Sequence, residues 1–214
     1  MAVDPSEVID AFSERDDDQG IVALAERLAG ASKGDEAVAH VRAAIARLGD
    51  AEPKVQGGCI KLLYEIGYRK PGLISAYASN FLELLKSRNN RLVWGGMTAL
   101  STIASLEPGT LFDHREEILA SVRTGSVITQ DRGILTLSLV AAADPEYRKA
   151  LLKPLLGFLR GCRGNDVAKF AESIWPAVDA SFSRDYSRVL ESRLDELATA
   201  ARKRVEKLLR SLSA

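Results

Sequence analysis

Apolar residues recur along this chain at intervals of three and four, the spacing that places side chains on one face of an α-helix. In the stretch EAVAHVRAAIARLG, four apolar residues share such a face: Val38, Val41, Ile45 and Leu48. The same pattern recurs in SNFLELLKSR and in REEILASVR. Alternation of β-branched and polar residues, which would indicate strands, is missing from the sequence. The pattern therefore predicts an all-α protein.

Helix-ending residues interrupt this pattern at regular intervals. Proline, glycine and short polar residues cluster in LGDAEP, RKPG, LEPG, RTGS, AADPE and RGN. Proline lacks a backbone donor and glycine adopts conformations outside the helix, so such clusters end helices. Short turns between helices join antiparallel neighbours. We therefore predict five helical hairpins, at about residues 5–30, 36–68, 73–105, 112–142 and 146–178.

A small residue recurs early in the second helix of each predicted hairpin: Gly20, Gly58, Gly96, Gly133 and Ala171. Successive members lie 38, 38, 37 and 38 residues apart. A fixed period of this length is typical of a solenoid, in which each hairpin packs only on its neighbours. Glycine costs about 1 kcal/mol relative to alanine in a helix interior. The repetition of this glycine predicts that helices cross closely at this position. Because the period continues along the chain, we predict one domain spanning residues 1–214.

Two further glycines, Gly57 and Gly95, precede the recurring glycine in two hairpins only. The corresponding residues of the next hairpins are Arg132 and Phe170. We interpret the extra glycines as positions of close helix packing. The alternative interpretations are that these helices are loosely wound at their N-termini, or that a ligand approaches the backbone there.

The helix pairs, the 38-residue period and the polar turns LGDAEPKV, SRNNRLV and CRGNDVA resemble those of HEAT-like and armadillo-like repeat proteins over residues 5–180. The resemblance implies a right-handed α–α superhelix of about five hairpins whose second helices line the concave surface. The ladder of Asp and Arg typical of the family is present in part, at Arg91, Arg132 and Lys169. For function, it implies a non-catalytic scaffold or adaptor that binds a peptide or protein on its concave face.

The C-terminal segment 184–212 can cover the exposed end of such a stack. Eight apolar residues fall on one side of it: Val189, Leu190, Leu194, Leu197, Ala201, Val205, Leu208 and Leu209. We predict one long capping helix, because the terminal unit of a solenoid needs a polar outer face. Pairing with a second copy as a coiled coil is the alternative, so we expect a monomer or a weak dimer.

Trp94 is the strongest candidate for a binding residue. On a helical wheel of residues 91–105 it lies with Thr98 on the polar side, and the corresponding residues of the other hairpins are Asp18, Gln56, Asp131 and Lys169. Tryptophan is enriched among residues that dominate binding energy. We hypothesise a partner-binding groove of seven residues: Gln56, Lys61, Tyr64, Arg91, Trp94, Thr98 and Asp131. The alternative is that the indole only fills the space over Gly95 or Gly57.

Charge is balanced overall but distributed unevenly. The sequence has 29 basic and 29 acidic residues, while residues 1–20 carry a net charge of −6 and residues 54–91 a net charge of +5. The basic segment favours an acidic partner, and an autoinhibitory contact with the acidic N-terminus is a second hypothesis. Four cations also recur at the ends of first helices: Arg47, Lys86, Arg123 and Arg160. This basic ridge is either a binding surface or compensation of the helix dipoles.

Catalytic and metal-binding patterns are missing from the sequence. His40 and His114 have no partner at ligand spacing, and two cysteines, Cys59 and Cys162, are too few for a disulfide scaffold. We therefore expect no cofactor and no metal. The N-terminus does not resemble a signal peptide, and no apolar run approaches the ~20 residues of a membrane span. We expect a cytoplasmic protein without a membrane span.

A second functional class stays open. HEAT-like alkylpurine DNA glycosylases grip DNA with tryptophans and an aspartate on the concave face, and Trp94 and Asp131 would take these roles here. No local motif aligns the two residues, and a net charge of zero disfavours a nucleic-acid partner. A lyase-like role on a chromophore protein, or a role in assembly, is not distinguished by sequence from the scaffold that we predict.

Overall fold

The structure is a computed structural model that describes residues 18–30 and 34–212. This part of the chain is helical and contains no strand, which confirms the predicted all-α class. Its α-helices are α1 (Asp18–Gly30), α2 (Gly34–Ala46), α3 (Pro53–Arg69), α4 (Ala78–Leu84), α5 (Asn90–Ile103), α6 (Pro108–Asp113), α7 (Arg115–Thr124), α8 (Val127–Ala143), α9 (Pro145–Gly161), α10 (Gly164–Ile174), α11 (Ser183–Glu191) and α12 (Thr199–Leu212). Residues 5–17 of the first predicted hairpin lie outside the described residues.

The helices form two rows. Helices α1, α3, α5, α8, α10 and α12 make an inner row in which each helix packs on the next. Helices α2, α4, α7 and α9 lie outside it, and each packs on the inner helix that follows it in the chain. Within residues 18–30 and 34–212, four short 3₁₀ turns join the helices: Pro71–Leu73, Ser75–Tyr77, Trp175–Ala177 and Leu194–Glu196. The order of outer and inner helices is that of stacked hairpins.

Polar side chains in the turns determine where several helices begin. Asn89, Ser126 and Asp144 precede α5, α8 and α9, and each accepts a hydrogen bond from a backbone N–H of the first helical turn. Such caps satisfy backbone donors that have no partner within the helix.

A continuous apolar core lies between the two rows. Leu62, Leu100 and Leu137, which follow the recurring glycine by four residues, are fully buried in it. Leu24 and Trp175, at the same position nearer the ends of the stack, are partly buried against this core. The 38-residue register therefore identifies a column of core residues. None of the described helices is both long and apolar enough to cross a membrane.

The recurring glycines mark close crossings of outer and inner helices. A Cβ atom at Gly96 would lie 3.0 Å from both the Cβ of Leu84 and the carbonyl oxygen of Phe81 on α4. A Cβ atom at Gly133 would overlap the Cγ2 of Val122 on α7. The prediction of close packing is confirmed at these two positions, and it explains why the chain accepts the propensity cost of glycine.

The C-terminal segment differs from the single helix predicted over residues 184–212. It folds as α11, a 3₁₀ turn and α12, and α12 packs on α10, the preceding helix of the inner row. Arg193 lies at the break, where its guanidinium donates hydrogen bonds to the carbonyl oxygens of Leu159, Arg160 and Cys162 at the end of α9. α11 ends at Glu191, two residues before this contact, and α12 begins at Thr199, so the contact anchors the break between the two helices to the end of α9.

Candidate functional site

Three aromatic rings form a cluster on two neighbouring inner helices. The ring centroid of Trp94 on α5 lies 6.0 Å from that of Tyr64 on α3. Tyr64 in turn lies 6.1 Å from Tyr68, with the two ring planes at 72°. Tyr68 is 47% exposed and Trp94 is partly buried. We call Tyr64, Tyr68 and Trp94 the aromatic cluster.

The two extra glycines bring α3 and α5 together beside this cluster. A Cβ at Gly95 would lie 2.7 Å from the Cγ1 of Ile60, so the inner helices pack closely there. A Cβ at Gly57 would lie 2.7 Å from the Nε of Arg91, so this glycine makes room for a guanidinium across α3. The interpretation of both glycines as packing positions is confirmed. At Gly57, the packing also positions a predicted site residue.

A first ionic group lies beside the cluster and consists of Asp18, Lys61 and Arg91. The Nζ of Lys61 lies 2.7 Å from the Oδ1 of Asp18, and the Nη2 of Arg91 lies 4.0 Å from the same oxygen. Lys61 is only 9% exposed, whereas 45% of the Arg91 side chain is exposed. Asp18 therefore neutralises the buried lysine directly, and the guanidinium of Arg91 is left at the surface.

A second ionic group lies further along the inner row and consists of Asp131, Arg132 and Lys169. The carboxylate of Asp131 lies 2.9 Å from the Nζ of Lys169 and 3.7 Å from the Nε of Arg132. Asp131 is 6% exposed, so the two cations provide the compensation that a buried carboxylate needs. As in the first ionic group, one carboxylate is paired with two cations.

Tyr68 connects the aromatic cluster to the second ionic group. The guanidinium carbon of Arg132 on α8 lies 5.6 Å from the centroid of the Tyr68 ring on α3, within the range of a cation–π contact. This contact passes over α5, where Thr98 and Ser101 are short, buried residues whose hydroxyls donate to backbone carbonyls of their own helix. Tyr68 and Arg132 therefore join α3 to α8, the inner helices on either side of α5.

We call the aromatic cluster and the two ionic groups together the inner patch. The structure brings five of the seven predicted groove residues into the patch, and it adds four others. The predicted members are Lys61, Tyr64, Arg91, Trp94 and Asp131; the added members are Asp18, Tyr68, Arg132 and Lys169. Tyr68 follows Tyr64 by four residues and so shares its helix face.

Two predicted groove residues have other roles. Thr98 is buried, and its hydroxyl donates to the carbonyl oxygen of Trp94 at 2.7 Å, so it lies beneath the surface. Gln56 joins two turns, because its Nε2 donates to the carbonyl oxygen of Asp50 at 2.7 Å and its Oε1 accepts from Asn89 at 3.3 Å. Gln56 therefore stabilises the stacking of adjacent hairpins.

The tyrosines of the patch keep their protons at neutral pH. Burial raises the pKa of Tyr64 to about 12, and the carboxylates of Glu65 and Asp18 act in the same direction. Burial also raises the pKa of Tyr68. Both phenols are therefore protonated and not anionic.

The described residues contain no group of three or more His, Cys, Asp or Glu placed to hold a metal ion. Burial raises the pKa of the Cys59 thiol to about 12, and it also raises the pKa of Cys162. A protonated thiol is a poor nucleophile and a poor metal ligand. The chemistry that the inner patch offers is recognition by aromatic rings, cations and phenol donors.

The members of the predicted basic ridge differ in their pairing. Arg47 forms an ion pair with Asp50 at 2.5 Å, and Lys86 with Glu83 at 3.0 Å. Arg123 and Arg160 lie in the last turns of α7 and α9 and are exposed.

Comparisons with known proteins identify the fold. No family model matches the sequence, and no curated protein matches it. An engineered protein superposes with a TM-score of 0.71 at 17% identity, covering 99% of this chain and 97% of its own. A designed armadillo repeat protein in complex with the peptide (KR)4 gives 0.69 at 13% identity, covering 98% and 100%. The karyopherin Kap121p bound to the SUMO protease Ulp1p gives 0.64 at 18% identity, covering 94% of this chain and 22% of the karyopherin.

Proposed function

We propose that this chain, which has the fold of armadillo/HEAT-like helical repeats, is a non-catalytic scaffold that binds a segment of a partner protein at the inner patch. The observation that carries the proposal is the contact of three aromatic rings on adjacent inner helices, one of them 47% exposed. Aromatic and arginine side chains supply most of the binding energy at protein interfaces. The aromatic cluster would be the anchor.

The charges of the inner patch favour an acidic segment. Among the described residues, each ionic group has two cations for one carboxylate, so each carries one net positive charge there. In each group the lysine is close to the carboxylate and the arginine is more distant, which leaves Arg91 and Arg132 to meet a ligand. Arginine binds carboxylates through two parallel hydrogen bonds. A segment with an apolar centre and an acidic residue on either side would match the patch.

The designed armadillo protein is in complex with a basic peptide. We propose the opposite preference here, because the uncompensated charge of the inner patch is positive. A charge-reversed peptide is therefore the natural specificity control.

We do not propose the DNA glycosylase role that the resemblance left open. Asp131 is almost fully buried and is paired with Lys169 and Arg132, so its carboxylate already has two partners. We retain a cytoplasmic location in the proposal because both cysteines are free thiols, as a reducing compartment would keep them.

Two variants test the inner patch by capture from native cell lysate. Wild-type protein and the double variant Arg91→Glu/Trp94→Ala serve as baits, and Lys203→Glu on the exposed side of α12 is the control. We expect a partner that the wild type and the control retain and the double variant loses. Circular dichroism should show equal helicity for all three. Capture of the same proteins by every bait would contradict the proposal.

A captured partner permits a quantitative test. Labelled peptides that tile its acidic regions are titrated in fluorescence polarisation, each beside a charge-reversed version. Loss of an aromatic anchor typically costs about 2 kcal/mol or more, so Trp94→Ala should weaken binding by at least about 30-fold. An affinity unchanged by Trp94→Ala would assign the partner to another surface.

A further inference from the structure

A second recessed surface lies at the edge of the solenoid, where outer helices end and inner helices begin. Two cavities of about 470 and 230 Å³ adjoin there and share Gly125 in their walls. The walls come from three successive turns and their flanking residues, at 85–93, 121–130 and 161–166. We call the joined cavities the turn groove. It crosses three consecutive hairpins and does not contain any residue of the inner patch.

Three arginines at this edge have no ion-pair partner among the described residues. Arg88 lines the groove, while Arg123 and Arg160 immediately precede the lining residues Thr124 and Gly161. All three arginines are exposed, and none makes a side-chain hydrogen bond or an ion pair within the described part of the chain. They therefore form a row of available cations, with one in each of three successive hairpins.

The acidic residue of the groove wall is already paired. Asp166 accepts a hydrogen bond at 2.9 Å from the Nε of Arg163, which lies beside it in the wall. The charges of Asp166 and Arg163 cancel each other within the groove. Asp166 therefore does not neutralise Arg88, Arg123 or Arg160.

The turn groove also offers apolar contact. Val127 lies in its wall and is 51% exposed, and the half-buried side chains of Val93 and Cys162 line it as well. An exposed valine beside a row of cations suits a polypeptide with both acidic and apolar side chains. It does not suit a small inorganic anion, which would gain nothing from the apolar wall.

We propose that the turn groove binds an extended acidic segment of a partner protein whose carboxylates are three residues apart. Packed helices lie about 8–10 Å apart, so Arg123 and Arg160, which take the same place in successive hairpins, recur at about that interval. A polyproline II segment repeats every three residues with a rise of about 3.1 Å per residue, or about 9 Å per turn. Carboxylates at every third residue then face successive arginines. Apolar residues between them contact Val127.

Synthetic peptides test the spacing. The probe is a labelled peptide of Glu-Pro-Pro repeats, titrated in fluorescence polarisation at low ionic strength. The controls are a peptide of the same composition with contiguous glutamates and a peptide of Lys-Pro-Pro repeats. We expect the Glu-Pro-Pro peptide to bind at least about tenfold more tightly than the contiguous peptide, and the lysine peptide not to bind. Equal affinity of the two acidic peptides, or no binding of either, overturns the proposal.

Matched variants test the location. Arg123→Glu/Arg160→Glu should weaken the Glu-Pro-Pro peptide at least about 30-fold, because two attractive contacts become repulsive. Lys203→Glu/Arg210→Glu makes the same charge change on exposed residues of α12 and should alter the affinity less than about threefold. Equal losses of affinity in both double variants would overturn the proposal, because the loss would then follow from the net charge of the protein and not from the turn groove.

Trp94→Ala separates this proposal from the one for the inner patch. It should leave the affinity for the Glu-Pro-Pro peptide unchanged. If Trp94→Ala loses the Glu-Pro-Pro peptide while Arg123→Glu/Arg160→Glu still binds it, the peptide binds at the inner patch. That result would overturn the turn-groove proposal alone. All substituted arginines are exposed, and circular dichroism should show that the helical content is retained.

Discussion

Replacing Arg193 by alanine is expected to detach the C-terminal helices from the rest of the solenoid. Arg193 is 9% exposed and lies between α11 and α12. Its guanidinium donates to the carbonyl oxygens of Leu159, Arg160 and Cys162 at 2.7, 2.7 and 2.6 Å. Carbonyls at the end of a helix have no partner within it, so this one side chain caps α9 and anchors the segment that follows α11.

The loss of stability in Arg193→Ala can be estimated from these hydrogen bonds. A hydrogen bond to a charged group contributes about 1.5–3 kcal/mol, so three independent bonds would contribute about 5–9 kcal/mol. The three bonds share one guanidinium and are not additive. Water can also reach part of the emptied site, because the neighbouring ion-pair partner, Glu196, is half exposed. We therefore expect Arg193→Ala to lower the free energy of unfolding by about 3–5 kcal/mol, as when one member of a buried ionic network is removed.

Urea unfolding followed by circular dichroism measures this loss, and native-state hydrogen exchange should show faster exchange in α11 and α12. Arg193→Lys keeps the charge but not the planar fork that reaches three carbonyls, so it should restore less than half of the lost stability. Arg202→Ala removes an exposed ion-pairing arginine from α12 and should cost less than about 1 kcal/mol. Equal unfolding midpoints and equal exchange for Arg193→Ala and Arg202→Ala would refute the reasoning.

Three further predictions concern stability. Gly133→Ala should lower the free energy of unfolding in urea by about 1–3 kcal/mol, because its Cβ would overlap Val122. A variant as stable as the wild type would contradict this and show that α7 and α8 can move apart without loss of stability. Gly157→Ala, the same change in α9 with no atom within 4 Å of the new Cβ, should raise it by up to about 1 kcal/mol. The Arg204 guanidinium holds the pKa of the Glu172 carboxyl below its ordinary value, so this pair stabilises the fold above the unfolded pKa and the contribution is lost as the pH falls through the folded pKa. Glu172→Gln should therefore lower the thermal midpoint slightly at pH 7, and the difference from wild type should shrink as the pH falls below the ordinary pKa of the carboxyl. A difference that does not change with pH would contradict this assignment.

The sequence by itself determined the helical class, and it predicted the alternation of outer and inner helices and the register of the repeat. These are local properties, because helix periodicity, helix-ending residues and caps act over a few residues. The 38-residue period then related distant segments to one another. It placed Leu62, Leu100 and Leu137 in one buried column and Gly96 and Gly133 at close helix crossings, as the structure has them.

Only the tertiary structure decided which side chains meet between the helices. Tyr68 contacts Arg132 across α5, which depends on how deeply α5 is set in the inner row. Gln56 joins two turns, and Arg193 anchors the break between α11 and α12 to the end of α9. A periodic pattern specifies the face on which a residue lies, but the reach of its side chain depends on the separation and tilt of neighbouring helices. Those quantities result from the packing of the whole stack.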